Sequence, residues 1–455
     1  MLGVIFTIAR NTFLESVRQP IYFILVALAG VFQVFTTWTA AFSMGYTESA
    51  EVSSDDQMML GLSLGMAMLI GMLLAAFLAT SVISKEIERK TVLTVVSKPV
   101  PRPSVVLGKY LGVATAIAIA MVTILLFALL GVRHGVLMTA GDTVDQPVLV
   151  FSFAAVVVAF GVGTWGNYFY GWVFSQTTTL LLCPLMLLAY VLVLMVSKKW
   201  HIQPLATDLK PQIMMTCVAI LLSQLVMTAI ATAASARLGQ VMTIVICSAA
   251  LVLGLSSNHF LGRRAVQNTP IARIESGSPV MPSRPALQNN SDEYDVVLEL
   301  EPRTPIRVGS PFYYGPNPSG LFLATSPYTP FKGDLKDMNQ VADRKTPAAL
   351  VVESVEKKKI RLIRVGAGEE DGVKIASRVP RPGDYVFLKP TRVSRPFLAA
   401  WGAVPNMQFF WLTDAVTQHQ DIPPRHLGLV ALYALLMIGA FLSLAVALFQ
   451  KREVG

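Results

Sequence analysis

No stretch constrains the fold of this chain more than residues 58–83, which run from Met58 to Ile83 without a charged side chain. A helix needs ~20 mostly apolar residues to cross the hydrocarbon of a bilayer. Backbone N–H and C=O groups must all be satisfied internally there, so a segment of this kind crosses as a helix. A second charge-free run covers 110–132. The link between the two, 84–112, is the opposite in character. It carries Lys85, Glu86, Glu88, Arg89, Lys90, Lys98, Arg102 and Lys109, punctuated by Pro99, Pro101 and Pro103. So many charges are not stable in hydrocarbon, so the chain leaves the membrane here and re-enters.

Applied along the chain, the length criterion finds eight spans: 21–42, 58–84, 105–132, 148–165, 178–196, 212–234, 240–260 and 427–449. The fourth is short and leaves open a re-entrant segment in place of a full crossing. Composition agrees with the count. Hydrophobic residues make up 53% of the chain and charged residues only 14%, against about 25% in soluble domains. The expected fold is a polytopic α-helical membrane protein, its N-terminal part covering 1–262 and its last helix and tail 426–455. The net charge of +9 is then a matter of loop placement rather than of nucleic-acid binding.

Ahead of the first span, residues 4–18 are amphipathic. Ile5, Ile8, Phe13 and Val17 share an apolar side, with Arg10, Glu15 and Arg18 on the polar one. This predicts a helix lying on the inner membrane surface, the alternative being a plain flank. The length of the charged leader argues against a cleaved signal peptide. Short loops set the orientation. Arg10, Arg18, the basic link and Lys451-Arg452 fall on one side, while 43–57 holds Glu48, Glu51, Asp55 and Asp56 with no lysine or arginine. The positive-inside rule puts both termini and the link in the cytoplasm of a cell-membrane protein. Loop 197–211, with Lys198, Lys199 and Lys210, runs against the rule.

Residues 263–425 differ in composition: charged, proline-rich, and without a span-length apolar run. Their first part, 263–291, reads as an irregular linker. Strand-like runs follow at 295–300, 348–355, 360–365 and 385–388, the last after Pro382-Gly383-Asp384. A small β-rich domain inserted before the last helix is expected, extracytoplasmic by span parity. Phe409-Phe410-Trp411-Leu412 reads as an aromatic-anchored helix at the outer interface.

Catalytic signatures are missing from the sequence. There is no G-x-x-x-x-G-K-[ST] phosphate loop, no H-E-x-x-H and no G-x-S-x-G. Gly161, Gly163 and Gly166 match G-x-G-x-x-G only at the end of an apolar span, the wrong context for a dinucleotide. The five histidines are scattered, and Cys183, Cys217 and Cys247 all fall within apolar runs, so neither a metal site nor a disulfide framework is expected. The spans carry essentially no titratable group, which disfavours an ion-coupled carrier. Gly61-x-x-x-Gly65 and Gly108-x-x-x-Gly112 allow close helix approach, either within the chain or between protomers.

Three stretches together resemble the type 2 ABC-transporter permeases. They are Ala9, Thr12, Glu15 and Arg18 on the N-terminal helix; the link from Lys85-Glu86-Ile87-Glu88-Arg89-Lys90-Thr91 through Ser97-Lys98-Pro99-Val100-Pro101-Arg102 to Gly108-Lys109; and Leu448-Phe449-Gln450-Lys451-Arg452-Glu453 at the end. Lys90 stands where the family usually has glycine. The resemblance implies a non-catalytic export subunit, a homodimer or heterodimer of permeases, working with a separate cytoplasmic ATPase that binds the ATP, so no cofactor is expected in this chain. Its six-helix core would gain an extra hairpin at 148–196 and the inserted domain. The docking surface it implies comprises Glu15, Arg18, Glu86, Glu88, Arg89, Thr91 and Arg102. The competing reading is a membrane-anchored structural or sensor protein that binds a partner through its outer β domain. No feature of the sequence names the substrate.

Overall fold

The computed structural model describes residues 2–39, 48–88, 101–136, 144–281, 291–302, 304–318, 337–341, 348–366, 379–413 and 422–450, with a few single residues between them. It divides into two compact units. The first comprises Met1–Leu255 and Met407–Gly455, the second Ser256–Asn406.

The first unit is helical. The surface helix α1 (Leu2–Arg18) is followed by α2 (Pro20–Thr39), α3 (Glu48–Glu88), α4 (Arg102–His134), α5 (Gln146–Tyr170), α6 (Phe174–Met195), α7 (Pro211–Ser235) and α8 (Gln240–Ser257). A last helix, here α9 (Pro424–Gln450), returns after the second unit. Eight of these are long and apolar enough to cross a membrane, one for each predicted span. Local signals set their ends. Proline occupies the first turn of α4, α5 and α7, where its missing N–H costs nothing. Asp145 caps α5 by accepting from the Val148 N–H, and Gly171 ends it in the left-handed conformation (φ 66°).

Burial sorts the bundle into layers. In α3, α4 and α7, 67% of the apolar window is buried, against 22% in α5 and 17% in α9. The inner trio packs through small side chains such as Ala75, Ala79, Ala116, Ala120, Ala219 and Ala231, because dispersion at close approach, not water exclusion, holds helices together in lipid. The outward faces of α5 and α9 are large and apolar, suited to hydrocarbon.

The second unit carries a six-stranded antiparallel sheet in the order β4-β7-β2-β3-β6-β5. Its strands are β2 (Ala272–Pro279), β3 (Glu293–Leu298), β4 (Tyr313–Gly315), β5 (Ala349–Glu356), β6 (Lys359–Val365) and β7 (Tyr385–Phe387). In β3, Tyr294, Val296 and Leu298 alternate inward into a core with Ile274, Phe312, Leu350, Leu362 and Phe387, the two-residue period of a strand. A separate two-stranded ribbon pairs β1 (Val266–Gln267) with β8 (Arg392–Val393), and it is followed by a helix over Arg395–Ala403 whose Trp401 donates to Asn258 Oδ1 at 3.1 Å.

Three expectations need correction. The stretch 263–291 is not all linker, since it supplies β1 and the central strand β2, whose polar exposed face hid its alternation. The acidic loop 43–57 is helical from Glu48 onward. The span expected at 148–165 stands, within a 25-residue helix long enough for a full crossing. The aromatic run near residue 410 is a single 3-10 turn, Met407–Phe409, rather than a helix. Phe410 is fully buried in the helical core, with its ring 5.8 Å from that of Tyr433.

Candidate partner-docking site

One end of the helical unit gathers the features singled out in the sequence. Helix α1 lies along the first turns of α4, and the fit depends on two missing side chains. A Cβ on Gly108 would stand 2.8 Å from Ile8 Cβ, and one on Gly112 2.5 Å from the Ala9 carbonyl oxygen. The Gly108-x-x-x-Gly112 pair is therefore an intramolecular seam for α1. Gly61 has open space around it and Gly65 meets only the Trp411 ring at 3.7 Å, so that pair forms no tight seam among the described residues. Along α1 the seam face is formed by Ile5, Ile8, Ala9 and Thr12, while Arg10, Glu15 and Arg18 lie exposed, as amphipathic spacing predicts.

Polar contacts tie the helix ends into one platform. At the end of α1, Arg18 Nε donates to Gln176 Oε1 at 2.9 Å, and Ser175 Oγ donates to the Arg18 carbonyl at 3.2 Å. Gln19 Nε2 reaches Ser81 Oγ at 2.6 Å, and the buried Lys109 Nζ donates to the Val82 carbonyl at 3.0 Å. Two arginines close the far terminus of the chain: Arg102 Nη1 donates to the Gln450 carbonyl at 2.9 Å and Arg237 Nε to the Leu448 carbonyl at 3.1 Å. The last carbonyls of a helix lack intrahelical partners and sit at the negative end of its dipole. Cationic side chains there satisfy both conditions.

Of the seven predicted docking residues, Glu15, Arg18 and Arg102 lie on this platform. Glu86 and Glu88 are in the last turns of α3, with only their backbone described. Arg89 and Thr91 lie outside the described residues. The structure thus gives Arg18 and Arg102 a job within the chain, holding α6 and α9, that charge counting alone did not suggest.

The opposite end holds a cluster the sequence reading missed. Arg133 Nη1 pairs with Asp145 at 2.8 Å and its Nη2 with Asp208 at 2.9 Å; Asp145 is wholly buried. Gln203 Nε2 also donates to Asp208. The cluster binds α4 and α5 to the loop that precedes α7. The signal was present in Asp145-Gln146-Pro147, a cap residue and first-turn proline ahead of an apolar run, and in Arg133 one position past a span. Loop 197–211, which runs against the positive-inside rule, is thus ordered by an acidic group of its own. Inside the bundle, Gln224 Nε2 donates to the Met68 carbonyl at 3.2 Å, and the absent side chain of Gly71 makes room for it. Among the described residues no group of three or more His, Cys, Asp or Glu is placed to hold a metal. The arrangement offers a rigid, charged surface.

A family model described as ABC-2 family transporter protein matches residues 6–262. That range begins in α1 and ends at the π-helical turn Asn258–Gly262, where the chain passes into the second unit. No curated protein and no solved structure matches the chain.

Proposed function

Because the chain belongs to the ABC-2 transporter family and is the multi-pass membrane permease of an ABC transporter, we propose that it is the export conduit of a complex powered by a separate ATPase that docks on the α1–α3–α4 platform. The family as a whole pairs such permeases with ABC ATPase subunits, which bind the ATP, and the permease itself is generally non-catalytic. One observation carries the docking reading: α1 is locked to α4 through the Gly108–Gly112 seam, so a push on the link is delivered to α1 and the transmembrane bundle together. A force-transmitting element needs stiffness, and backbone-to-backbone contact supplies it.

In this reading the platform faces the cytoplasm, two permeases pair, and the second unit stands outside the membrane. Glu86, Glu88 and Arg89 meet the ATPase with mixed charge, which gives register more than raw affinity, while Thr91 stands beside them on the same link. Glu15 completes the surface. Arg18 and Arg102 position the helix ends behind it. The test is Glu86→Lys combined with Glu88→Lys. Membrane insertion should be unchanged, and stimulation of the co-purified ATPase by the permease should be lost. Full stimulation in the double variant, or an exporting complex that purifies without any ATPase subunit, refutes the assignment.

A further inference from the structure

A groove of about 900 Å³ opens in the helical unit between α2, α4, α5 and α6. Along α2 it is lined from Phe23 to Thr37, roughly 20 Å at 1.5 Å per residue. That is most of the ~30 Å hydrocarbon thickness. The two ends differ. Toward α1 the rings of Phe23, Phe160 and Phe174 form a floor, their centroids 5.3–6.0 Å apart. Thr179, the one polar residue lining that end, spends its hydroxyl on the Ser175 carbonyl at 2.8 Å. Toward the other end stand Gln33, Thr37 and His134. Gln33 is 1% exposed; its Nε2 donates to the Ser63 carbonyl at 2.8 Å, and its Oε1 is buried with no donor among the described residues.

The mouth is flanked by Val31 and Val34 of α2 (65% and 57% exposed) and by Phe153 of α5 (71%), all on helices that cross the membrane. Hydrocarbon is the solvent for such a surface. Water would find almost no polar partners along the walls, and an ordered water needs two to four. We infer that the groove is a built site for the two tails of one diacyl lipid, with the headgroup at the Thr37–His134 end and the tail ends on the aromatic floor. The dimensions fit that occupant. At roughly 30 Å³ for a group about the size of a water molecule, as a methylene is, the volume holds about 30 such groups, comparable to the paired tails of one lipid. The single polar end orients the lipid, with Gln33, Thr37 and His134 lining it beside the headgroup. The hairpin α5–α6 supplies half the wall, so its place in the fold is to make a lipid part of the permease. This reading stands apart from the docking proposal and survives its failure.

The test uses the full chain in nanodiscs formed from native membrane. A phosphatidyl lipid carrying a photoreactive diazirine near the tail end should label Phe160, on the aromatic floor, far above Leu435, which is 67% exposed on α9 and reports ordinary lipid contact. Native mass spectrometry after detergent exchange should retain one phospholipid per chain in the wild type and in Leu435→Trp. Val34→Trp and Val150→Trp, which fill the groove from its mouth, should lose it. Equal labelling of Phe160 and Leu435 would overturn the site. So would a cysteine at Val34 that cross-links to a second copy of the chain in place of lipid labelling.

Discussion

The α1–α4 seam yields the sharpest quantitative expectation. Replacing Gly112 by alanine places a methyl 2.5 Å from the Ala9 carbonyl oxygen and 2.6 Å from Thr12 Cβ, both parts of α1 that cannot rotate away. Ordinary contact needs about 1 Å more, so α1 must shift outward. Overpacking of this kind costs ~1–3 kcal/mol. Against it, alanine is favoured over glycine within a helix by ~1 kcal/mol, which leaves a net loss of up to about 2 kcal/mol relative to the wild type and of ~1–3 kcal/mol relative to a Gly→Ala change that meets no clash. Gly108→Ala meets Ile8 Cβ at 2.8 Å and the Ile5 carbonyl at 3.0 Å, and should cost somewhat less. The double variant should cost less than the sum of the two, since one displacement of α1 relieves both clashes and neighbouring sites are not additive. Gly61→Ala is the control. Among the described residues its Cβ would meet nothing within 4 Å, so only the helix-propensity gain remains and stability should hold or rise. The assay is the thermal midpoint of the purified protein in one detergent, together with protease release of the N-terminal helix. If Gly112→Ala matches Gly61→Ala in both readouts, α1 is not held by this seam and the force-transmission argument fails with it.

Other expectations follow from single contacts. Asp145→Asn keeps the cap on α5 but removes the buried charge that faces Arg133, whereas Asp145→Ala removes both; breaking a buried pair costs ~3–5 kcal/mol, reduced here because Arg133 keeps Asp208. Denaturant midpoints should therefore rank wild type above Asn above Ala, and any other order refutes the roles assigned. In the sheet, a hydrogen bond from Arg361 and then one from Lys359 hold the Asp295 carboxyl below its ordinary range. A depressed carboxyl contributes stability above its unfolded pKa of about 3.9 and loses it as pH falls toward the folded value. Amide exchange in β3 and β6, corrected for intrinsic rates, should accelerate in that window in the wild type and respond less in Asp295→Asn. For topology, a cysteine at Lys357, on the exposed β5–β6 turn, should react with an impermeant thiol reagent in whole cells with any outer barrier opened. Reaction only after lysis would reverse the proposed orientation.

How far the fold could be read in advance depended on how local each signal was. Hydrocarbon length is a property of one segment, so all eight spans and the amphipathic α1 were legible from charge-free runs and apolar spacing alone. Strands with a clean apolar alternation, such as β3 and β6, were legible for the same reason. The central strand β2 was not, because Arg273, Glu275, Ser276 and Ser278 give it a polar sequence that only its neighbours β3 and β7 turn into a strand. The site was half legible. Glycines at 108 and 112 announced a close approach, but not whether the partner was α1 or another protomer. Arg18 and Arg102 announced charge at a membrane edge, but not that their donors end on Gln176 and the Gln450 carbonyl. Contacts of that kind join residues far apart in the chain, and no local pattern records them.

The pairing of α7 with α9 sets a schedule for synthesis. Arg237 and the Leu448 carbonyl meet across 211 residues, and Ala233 packs with Ala445 and Phe449 at the same end. Between them the ribosome must complete the whole stretch from Asn258 to Pro423, which at about 5–20 residues per second takes roughly 10–30 s. For that interval α7 is in the bilayer with one flank bare, and its row of small residues faces lipid or an insertion chaperone. The bundle therefore matures last at the end where the energy is proposed to enter, so a nascent permease without its final helix is unfinished at its coupling platform.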